Sequence, residues 1–136
     1  MSQPTDLTPQ QAWQRLEGDP DTVLVDVRTR AEWSFVGLPD LSGLGKQVIP
    51  IEWTTFPDGA VNRSFLDELR SLVPEEATVL FLCRSGGRSA AAAAAAARVG
   101  YTSVANVVQG FEGELDASGH RAVDGWKNAG LPWRQG

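Results

Sequence analysis

An apolar run, a short glycine-rich loop and eight consecutive alanines follow one another in the middle of this 136-residue chain. Residues 79–82 read Val-Leu-Phe-Leu, which favours a buried β-strand, and Ala90–Ala97 is the strongest helix-favouring segment of the sequence. The loop between them carries the only cysteine, Cys83, together with two glycines and two arginines. This order predicts a strand that delivers Cys83 to a helix N-terminus, with the helix packed on a sheet.

The position of Cys83 in this loop suits a reactive thiol. Unpaired N–H groups at a helix start and the helix dipole supply roughly half a positive charge, and such cysteines have pKa values well below the free value of about 8.5. A lone cysteine after an apolar strand is otherwise usually a small buried hydrophobe. Because Arg84, Arg88 and the pair Gly86 and Gly87 make a cationic, backbone-lined pocket, the sequence favours a nucleophilic Cys83.

The remaining loop residues are candidates for binding a small anion. Arg84 and Arg88 are expected to hold the anion or to stabilise the thiolate. Ser89 is expected to cap the alanine helix, whereas Ser85 either donates a hydrogen bond to the ligand or faces water. The sequence therefore predicts an anion-binding loop that runs from Arg84 to Ser89.

Asp26 and Arg28 stand at the end of a second apolar segment and are expected to support the site. A buried carboxylate is costly unless it is paired, so Asp26 is predicted to bind loop N–H groups or an arginine. Glu32 lies four residues after Arg28, and this spacing predicts a surface ion pair between them on one helix.

Strand-like and helix-like segments alternate along the whole chain. This alternation predicts one α/β domain over residues 1–136, with a mostly parallel sheet covered by helices on both faces. Pro50 indicates an edge position or a strand end for the segment that contains it. Apart from the central segment, strands are predicted at Thr22–Val27, Gln47–Trp53 and Ser103–Val108, and helices from Thr8, at Arg28–Phe35, from Phe65 to Leu72 and at Gly125–Ala129.

Composition and charge argue against several classes of function. A formal net charge of −5 and a calculated pI near 4.8 do not suit a nucleic-acid-binding or anionic-membrane surface. One cysteine excludes an internal disulfide and, with the single His120, argues against a zinc site. The first residues lack the features of a signal peptide and no segment approaches a membrane span, so we expect a cytoplasmic protein.

The loop Cys83-Arg84-Ser85-Gly86-Gly87-Arg88 resembles the active-site loop of the rhodanese-like sulfurtransferases. The resemblance extends over about residues 6–133. It departs from the family pattern at Leu38, where a histidine is common, and in Phe111–Asp124, which is longer than the usual connection to the last tryptophan. The agreeing segments are Leu24–Arg28 with Glu32, Trp33 and Gly37, then Val107–Gly110, then Trp126–Pro132.

The resemblance implies a rhodanese-like three-layer fold and the transfer of a sulfane sulfur from thiosulfate or a similar donor. Cys83 would carry the sulfur as a persulfide, held by N–H groups of the loop, and pass it to cyanide, a thiol or a protein acceptor. No metal or organic cofactor is implied. Arg84 resembles the thiosulfate-using branch more than the mercaptopyruvate-using branch, and the family favours a structural role for Asp26.

Two alternatives stay open. The first is a persulfide carrier or partner-docking module with little turnover. The second is a cysteine phosphatase or an arsenate reductase. The phosphatase pattern places arginine six residues after the nucleophile, whereas Arg88 stands five residues after Cys83 and Ser89 takes the sixth position. The chain has no second cysteine, so sulfur bound to Cys83 must leave to an external acceptor.

Overall fold

The computed structural model describes residues 4–55 and 57–135, in which a five-stranded sheet lies between helices. The strand order is β1-β6-β5-β2-β4, every pairing in this sheet is parallel, and a separate antiparallel pair joins β3 to β7. The strands are β1 (Thr5–Leu7), β2 (Thr22–Asp26), β3 (Leu38–Pro39), β4 (Ile49–Pro50), β5 (Thr78–Leu82), β6 (Ser103–Val107) and β7 (Trp133–Arg134). The helices are α1 (Pro9–Gly18), α2 (Arg30–Phe35), α3 (Phe65–Leu72) and α4 (Gly87–Arg98), with a short 3-10 helix at Ser42–Leu44.

The two faces of the sheet have separate apolar cores. Alternate side chains of a strand point to opposite faces, so β5 contributes Val79 and Phe81 to one core and Leu80 and Leu82 to the other. Helices α3 and α4 pack on the first face, whereas α1 packs on the second together with the segment that follows β6. The predicted fold class, a parallel α/β sheet covered on both faces, is confirmed.

The alanine-rich helix α4 packs closely on the sheet, as predicted. Its buried alanines belong to the same core as the β5 side chains Val79 and Phe81, and small side chains let the helix backbone approach the sheet. Those alanines are Ala92, Ala93, Ala96 and Ala97.

Strands β2, β5 and β6 place their carboxyl ends at one edge of the sheet. Asp26 is paired in register with Leu82, and Asn106 with Phe81, so both polar side chains flank the point where the chain leaves β5 for Cys83. The carboxyl ends of parallel strands are where open α/β sheets bind ligands. The topology therefore gathers the polar groups beside Cys83.

Several element bounds differ from the sequence predictions. The strand predicted at Gln47–Trp53 is reduced to Ile49–Pro50, although β4 is an edge strand as Pro50 indicated. The helix predicted at Gly125–Ala129 is a set of turns, and β1 was not predicted. Within the described ranges, no helix has the length and apolar character needed to cross a membrane.

Candidate active site

Cys83 follows β5 directly and lies at the start of α4, as the sequence predicted. The residue is only 2% exposed, and its Sγ accepts a hydrogen bond from the backbone N–H of Gly86 at 3.1 Å. Gly86 is the N-cap of α4 with a φ of 113°, a left-handed conformation that suits glycine. The tight turn thereby aims a backbone donor of the helix start at the sulfur.

Ser89 and Asn106 form a buried polar pair beside the sulfur. Ser89 Oγ lies 3.3 Å from Cys83 Sγ, 3.2 Å from the Gly86 carbonyl oxygen and 2.5 Å from Asn106 Oδ1. Asn106 Nδ2 donates a hydrogen bond to the Gly86 carbonyl oxygen at 3.2 Å. The prediction that Ser89 caps the helix is wrong, because the helix begins at Gly87 and places the Ser89 side chain in its first turn, facing the thiol.

Arg88 makes a two-point ion pair with Glu32, which lies on α2. Its Nη1 and Nη2 donate to Glu32 Oε1 and Oε2 at 2.7 and 2.9 Å, and both side chains are largely shielded from solvent. The hydrogen bonds to Glu32 raise the pKa of the Arg88 guanidinium, although partial burial opposes this. Arg88 thus ties the loop after Cys83 to α2.

Glu32 also caps the helix that carries it. The Thr29 side chain accepts from the Glu32 N–H, while the Glu32 carboxylate accepts from the Thr29 N–H at 3.1 Å, which is a capping box. Burial raises the pKa of Glu32, but the hydrogen bonds from Arg88 and from the Thr29 backbone outweigh it and lower this pKa from 4.5 to about 2. The predicted pair of Arg28 with Glu32 is wrong, because α2 begins at Arg30 with Thr29 as its N-cap and Arg28 lies outside the helix.

Arg28 pairs with Asp26 instead, in the interior. Both side chains are fully buried, and Arg28 Nη2 donates to Asp26 Oδ2 at 2.6 Å and to the Gly37 carbonyl oxygen at 2.7 Å. The guanidinium carbon lies 4.3 Å from the ring centre of Phe111, a cation–π geometry. Asp26 thus binds an arginine, as its position at the strand end indicated, and the pair joins β2 to the segment that follows β6.

The segment after β6 supports the outer side of the loop. The N–H groups of Phe111 and Glu112 donate to the carbonyl oxygens of Cys83 and Arg84 at 2.8 and 3.0 Å. Gly110, with a φ of 61°, lies so close that a Cβ there would stand 2.5 Å from the Cys83 carbonyl oxygen. Part of Phe111–Asp124, the segment that is longer than the usual family connection, therefore fixes the backbone from which the loop departs.

Arg84 and Ser85 occupy the outer rim of the loop. Arg84 is exposed, and its guanidinium forms neither a hydrogen bond nor an ion pair with any described residue. Ser85 and Gly86 are partly buried and Gly87 is exposed. Of the two arginines predicted to bind an anion, Arg84 has a free charge, whereas the charge of Arg88 is already matched by Glu32.

Sequence reasoning missed the site roles of Glu32 and Asn106. The spacing of Thr29 and Glu32 is a capping-box signature, and Asn106 interrupts an otherwise apolar strand, so both positions carried a usable signal.

Within residues 4–55 and 57–135, no three His, Cys, Asp or Glu side chains come together as a metal site requires.

A family model described as the STR4 middle domain matches residues 6–136 of the chain. The chain is also similar to Rv0390 from M. tuberculosis, whose crystal structure is 56% identical, with a TM-score of 0.93 over 99% of this chain and all of that one. The protein RC0915 of Rickettsia conorii is 38% identical over 125 residues, which cover 90% of this chain and 91% of that relative.

Two further relatives have descriptive names. A protein named sulfurtransferase from Allochromatium vinosum is 31% identical over 119 residues, which cover 88% of this chain and 84% of the relative. The chloroplastic rhodanese-like domain-containing protein 4 of Arabidopsis thaliana is 30% identical over 124 residues, 90% of this chain but 24% of that protein. The chain thus corresponds to nearly all of one relative and to one part of the other.

Proposed function

Since the chain belongs to the STR4 middle domain family, within the rhodanese-like sulfurtransferases, we propose that it transfers a sulfane sulfur through a persulfide on Cys83. The observation that carries the proposal is the burial of the Cys83 sulfur beside hydrogen-bond donors. Cys83 Sγ is shielded from solvent at a helix start, where it accepts the Gly86 N–H and lies within reach of Ser89. Such donors stabilise an anionic sulfur, which is the nucleophilic form.

In the first half-reaction, the Cys83 thiolate attacks the outer sulfur of thiosulfate. The new bond joins Sγ to that sulfur, the sulfur–sulfur bond of thiosulfate breaks, and its electron pair leaves with sulfite. Negative charge then lies on the terminal sulfur of the persulfide, where N–H groups of the loop from Arg84 to Ser89 stabilise it. Charge and electrons are conserved in this step, because the thiolate and thiosulfate become the persulfide anion and sulfite. The step therefore needs no external oxidant or reductant, and the proposal includes no metal or organic cofactor.

The donor is bound by Arg84 in this proposal. The sulfonate end of thiosulfate is anionic and projects away from the attacked sulfur, toward the rim where the Arg84 guanidinium is exposed and free of partners among the described residues. Arg88 instead holds the loop in place, because its two-point bond to Glu32 occupies the face of the guanidinium that binds oxyanions best.

In the second half-reaction, an external nucleophile accepts the sulfur. Cyanide, a thiol or a protein thiol attacks the terminal sulfur, the persulfide bond breaks, and Cys83 leaves as the thiolate. The sequence has no second cysteine that could form an internal disulfide at this stage. A free nucleophilic thiol suits a reducing compartment, so a cytoplasmic location is part of the proposal.

Thiocyanate formation from thiosulfate and cyanide tests this proposal. We expect activity in the unmodified protein, none in Cys83→Ser, and a raised KM for thiosulfate with a smaller change in kcat in Arg84→Gln. Arg98→Gln, at the far end of α4, is the control for loss of one exposed positive charge. An Arg84→Gln variant that behaves like Arg98→Gln would contradict the assignment of the donor site.

A persulfide carrier is the second candidate, and the single buried cysteine favours it because such a sulfur is accessible only to a fitted acceptor. A carrier would take sulfur from thiosulfate once but release it slowly to cyanide. Hydrolysis of an aryl phosphate or reduction of arsenate, without sulfur transfer, would instead support the phosphatase or arsenate reductase reading.

A further inference from the structure

The Ser89 hydroxyl has one proton and three neighbouring acceptors. Cys83 Sγ, the Gly86 carbonyl oxygen and Asn106 Oδ1 lie 3.3, 3.2 and 2.5 Å from Ser89 Oγ. A hydroxyl donates a single hydrogen bond at a time, although it can accept two. Ser89 is fully buried and Asn106 nearly so, and the polar groups around them must satisfy one another. The acceptor to which the Ser89 hydroxyl donates therefore affects the hydrogen bonding of the Cys83 sulfur.

The orientation of the Asn106 amide settles where the proton lies in the resting site. A carbonyl oxygen only accepts, so the amide nitrogen must face the Gly86 carbonyl oxygen, to which it donates at 3.2 Å. This orientation turns Oδ1 toward Ser89 Oγ, the shortest of the three contacts. Ser89 consequently donates its hydrogen bond to Asn106, and an Oγ lone pair is free to accept a hydrogen bond from the Cys83 thiol.

We propose that Asn106 is a positioning residue whose Oδ1 accepts the hydrogen bond of the Ser89 hydroxyl while Cys83 is a thiol. When the sulfur becomes anionic, the Ser89 hydroxyl donates to Sγ instead. The proposal rests on the nucleophilic role assigned to Cys83. In the thiol form, Cys83 donates to Ser89 and Ser89 donates to Asn106. When the thiol proton leaves to solvent, the Ser89 hydroxyl rotates and donates to the thiolate, because an ionised acceptor binds more strongly than an amide oxygen.

The same rotation serves the second half-reaction. In the persulfide the inner Sγ is uncharged, so the Ser89 hydroxyl again donates its hydrogen bond to Asn106 Oδ1. As an acceptor attacks the terminal sulfur, the breaking bond returns its electron pair to Sγ, and the hydroxyl rotates again to meet the developing charge. Asn106 thus favours the uncharged forms of Sγ, and Ser89 favours the charged form.

Charged groups around the sulfur do not obscure this effect. Those on the packed elements are Arg88 of α4, Glu32 of α2, the Asp26 and Arg28 pair at the end of β2, and Arg84 in the loop. All of these are guanidinium or carboxylate groups, a class whose reference pKa values lie far from that of a thiol. The pH dependence of the alkylation rate therefore reports the ionisation of Cys83.

The test measures the rate of alkylation by iodoacetamide against pH in four proteins. Asn106→Leu, which is close in size to asparagine, frees the Ser89 proton for the thiolate and is expected to lower the midpoint by roughly half to one pH unit. Ser89→Ala removes the donor and is expected to raise the midpoint by a similar amount. In the double variant, the Asn106 substitution should have no effect beyond that of Ser89→Ala.

The double variant separates this role from a structural one. If Asn106 acted only by holding the Gly86 carbonyl oxygen, its substitution would shift the midpoint equally with and without Ser89. That result, or an upward shift in Asn106→Leu alone, would overturn the proposal. Alkylation needs no sulfur donor, so a protein that gains no sulfur from thiosulfate but shows these shifts would keep this inference and lose the proposed function.

A second measurement needs no variant and covers the case in which Asn106→Leu does not fold. In the unmodified protein, the side-chain amide NMR signals of Asn106 should shift with the same midpoint as Cys83 alkylation, because Oδ1 loses its donor when the thiol ionises. The side-chain amide of Asn128, which donates to backbone carbonyl oxygens, should stay constant as the control. Asn106 signals that stay constant over the pH range in which the alkylation rate of Cys83 changes would overturn the proposal.

Discussion

Replacing Glu32 by glutamine removes the charge that holds Arg88 while keeping the size of the side chain. The carboxylate is about one fifth exposed and receives two hydrogen bonds from Arg88. The change in its pKa, from 4.5 to about 2, would correspond to roughly 3 kcal/mol if solvent did not screen the pair. Because the pair is partly exposed, we expect a loss of about 1–2 kcal/mol in the free energy of unfolding at pH 7.

The pH dependence of this loss has a fixed direction. A carboxyl whose pKa is lower in the folded state stabilises the fold above its unfolded pKa, and the stabilisation disappears as pH falls through the folded value. For Glu32 the contribution is complete above about pH 5, and it decreases between pH 4.5 and 2. The difference between the unmodified protein and Glu32→Gln should therefore shrink to less than half by about pH 3.

Urea unfolding, followed by tryptophan fluorescence at pH 7, 5, 4 and 3, measures this difference. Glu17→Gln is the matched control, since Glu17 is exposed on α1 and makes no hydrogen bond or ion pair with the described residues. We expect the control to change the free energy of unfolding by less than about 0.5 kcal/mol. A Glu32→Gln variant as stable as the control at pH 7, or a difference that is unchanged at pH 3, would refute the argument.

Two further predictions concern the backbone and the buried pair behind the loop. Gly110→Ala should cost at least about 3 kcal/mol in thermal unfolding, because its Cβ would meet the Cys83 carbonyl oxygen, whereas Gly119→Ala, with a similar φ but open space around it, should cost only about 1–2 kcal/mol. Equal losses would show that steric contact is unimportant. Arg28→Met should cost about 3–5 kcal/mol by urea unfolding, because it leaves the Asp26 carboxylate buried without its partner. Adding Asp26→Asn should recover part of that loss, and a double variant at the sum of the single losses would argue against the pairing.

Local sequence patterns predicted the central part of the fold because they are local in origin. The apolar run before Cys83 and the alanines after it were enough to place β5 and α4, including the packing of small side chains on the sheet. The first helix was predicted to start at Thr8, and Thr8 is its N-cap in a capping box with Gln11. These features depend on residues within one turn or one strand of each other.

Ion pairs were harder to predict because they depend on distant parts of the chain. The spacing of Arg28 and Glu32 satisfied the helical rule, but the helix begins only at Arg30, after its cap Thr29. Arg28 therefore lies outside the helix and turns inward to Asp26. Glu32 then pairs with Arg88, which is 56 residues away in sequence. No local pattern relates those two positions, and the same is true of Ser89 and Asn106.

The support of the loop by the segment after β6 was also invisible in the sequence. It consists of backbone hydrogen bonds and of a glycine where no side chain fits, so side-chain chemistry gives no signal for it. The predicted loop residues are brought together by the structure. Whether an arginine near the site is already paired depends on carboxylates of α2 and β2, whose positions are known only from the fold.

The central claim is that Cys83 carries the transferred sulfur. Intact mass spectrometry after incubation with thiosulfate measures this directly, with Cys83→Ser treated in parallel. We expect the unmodified protein to gain one sulfur atom, to lose it again on addition of cyanide or a reducing thiol, and the variant to gain none. An unmodified protein that gains no sulfur while its thiol still reacts as free would contradict the account.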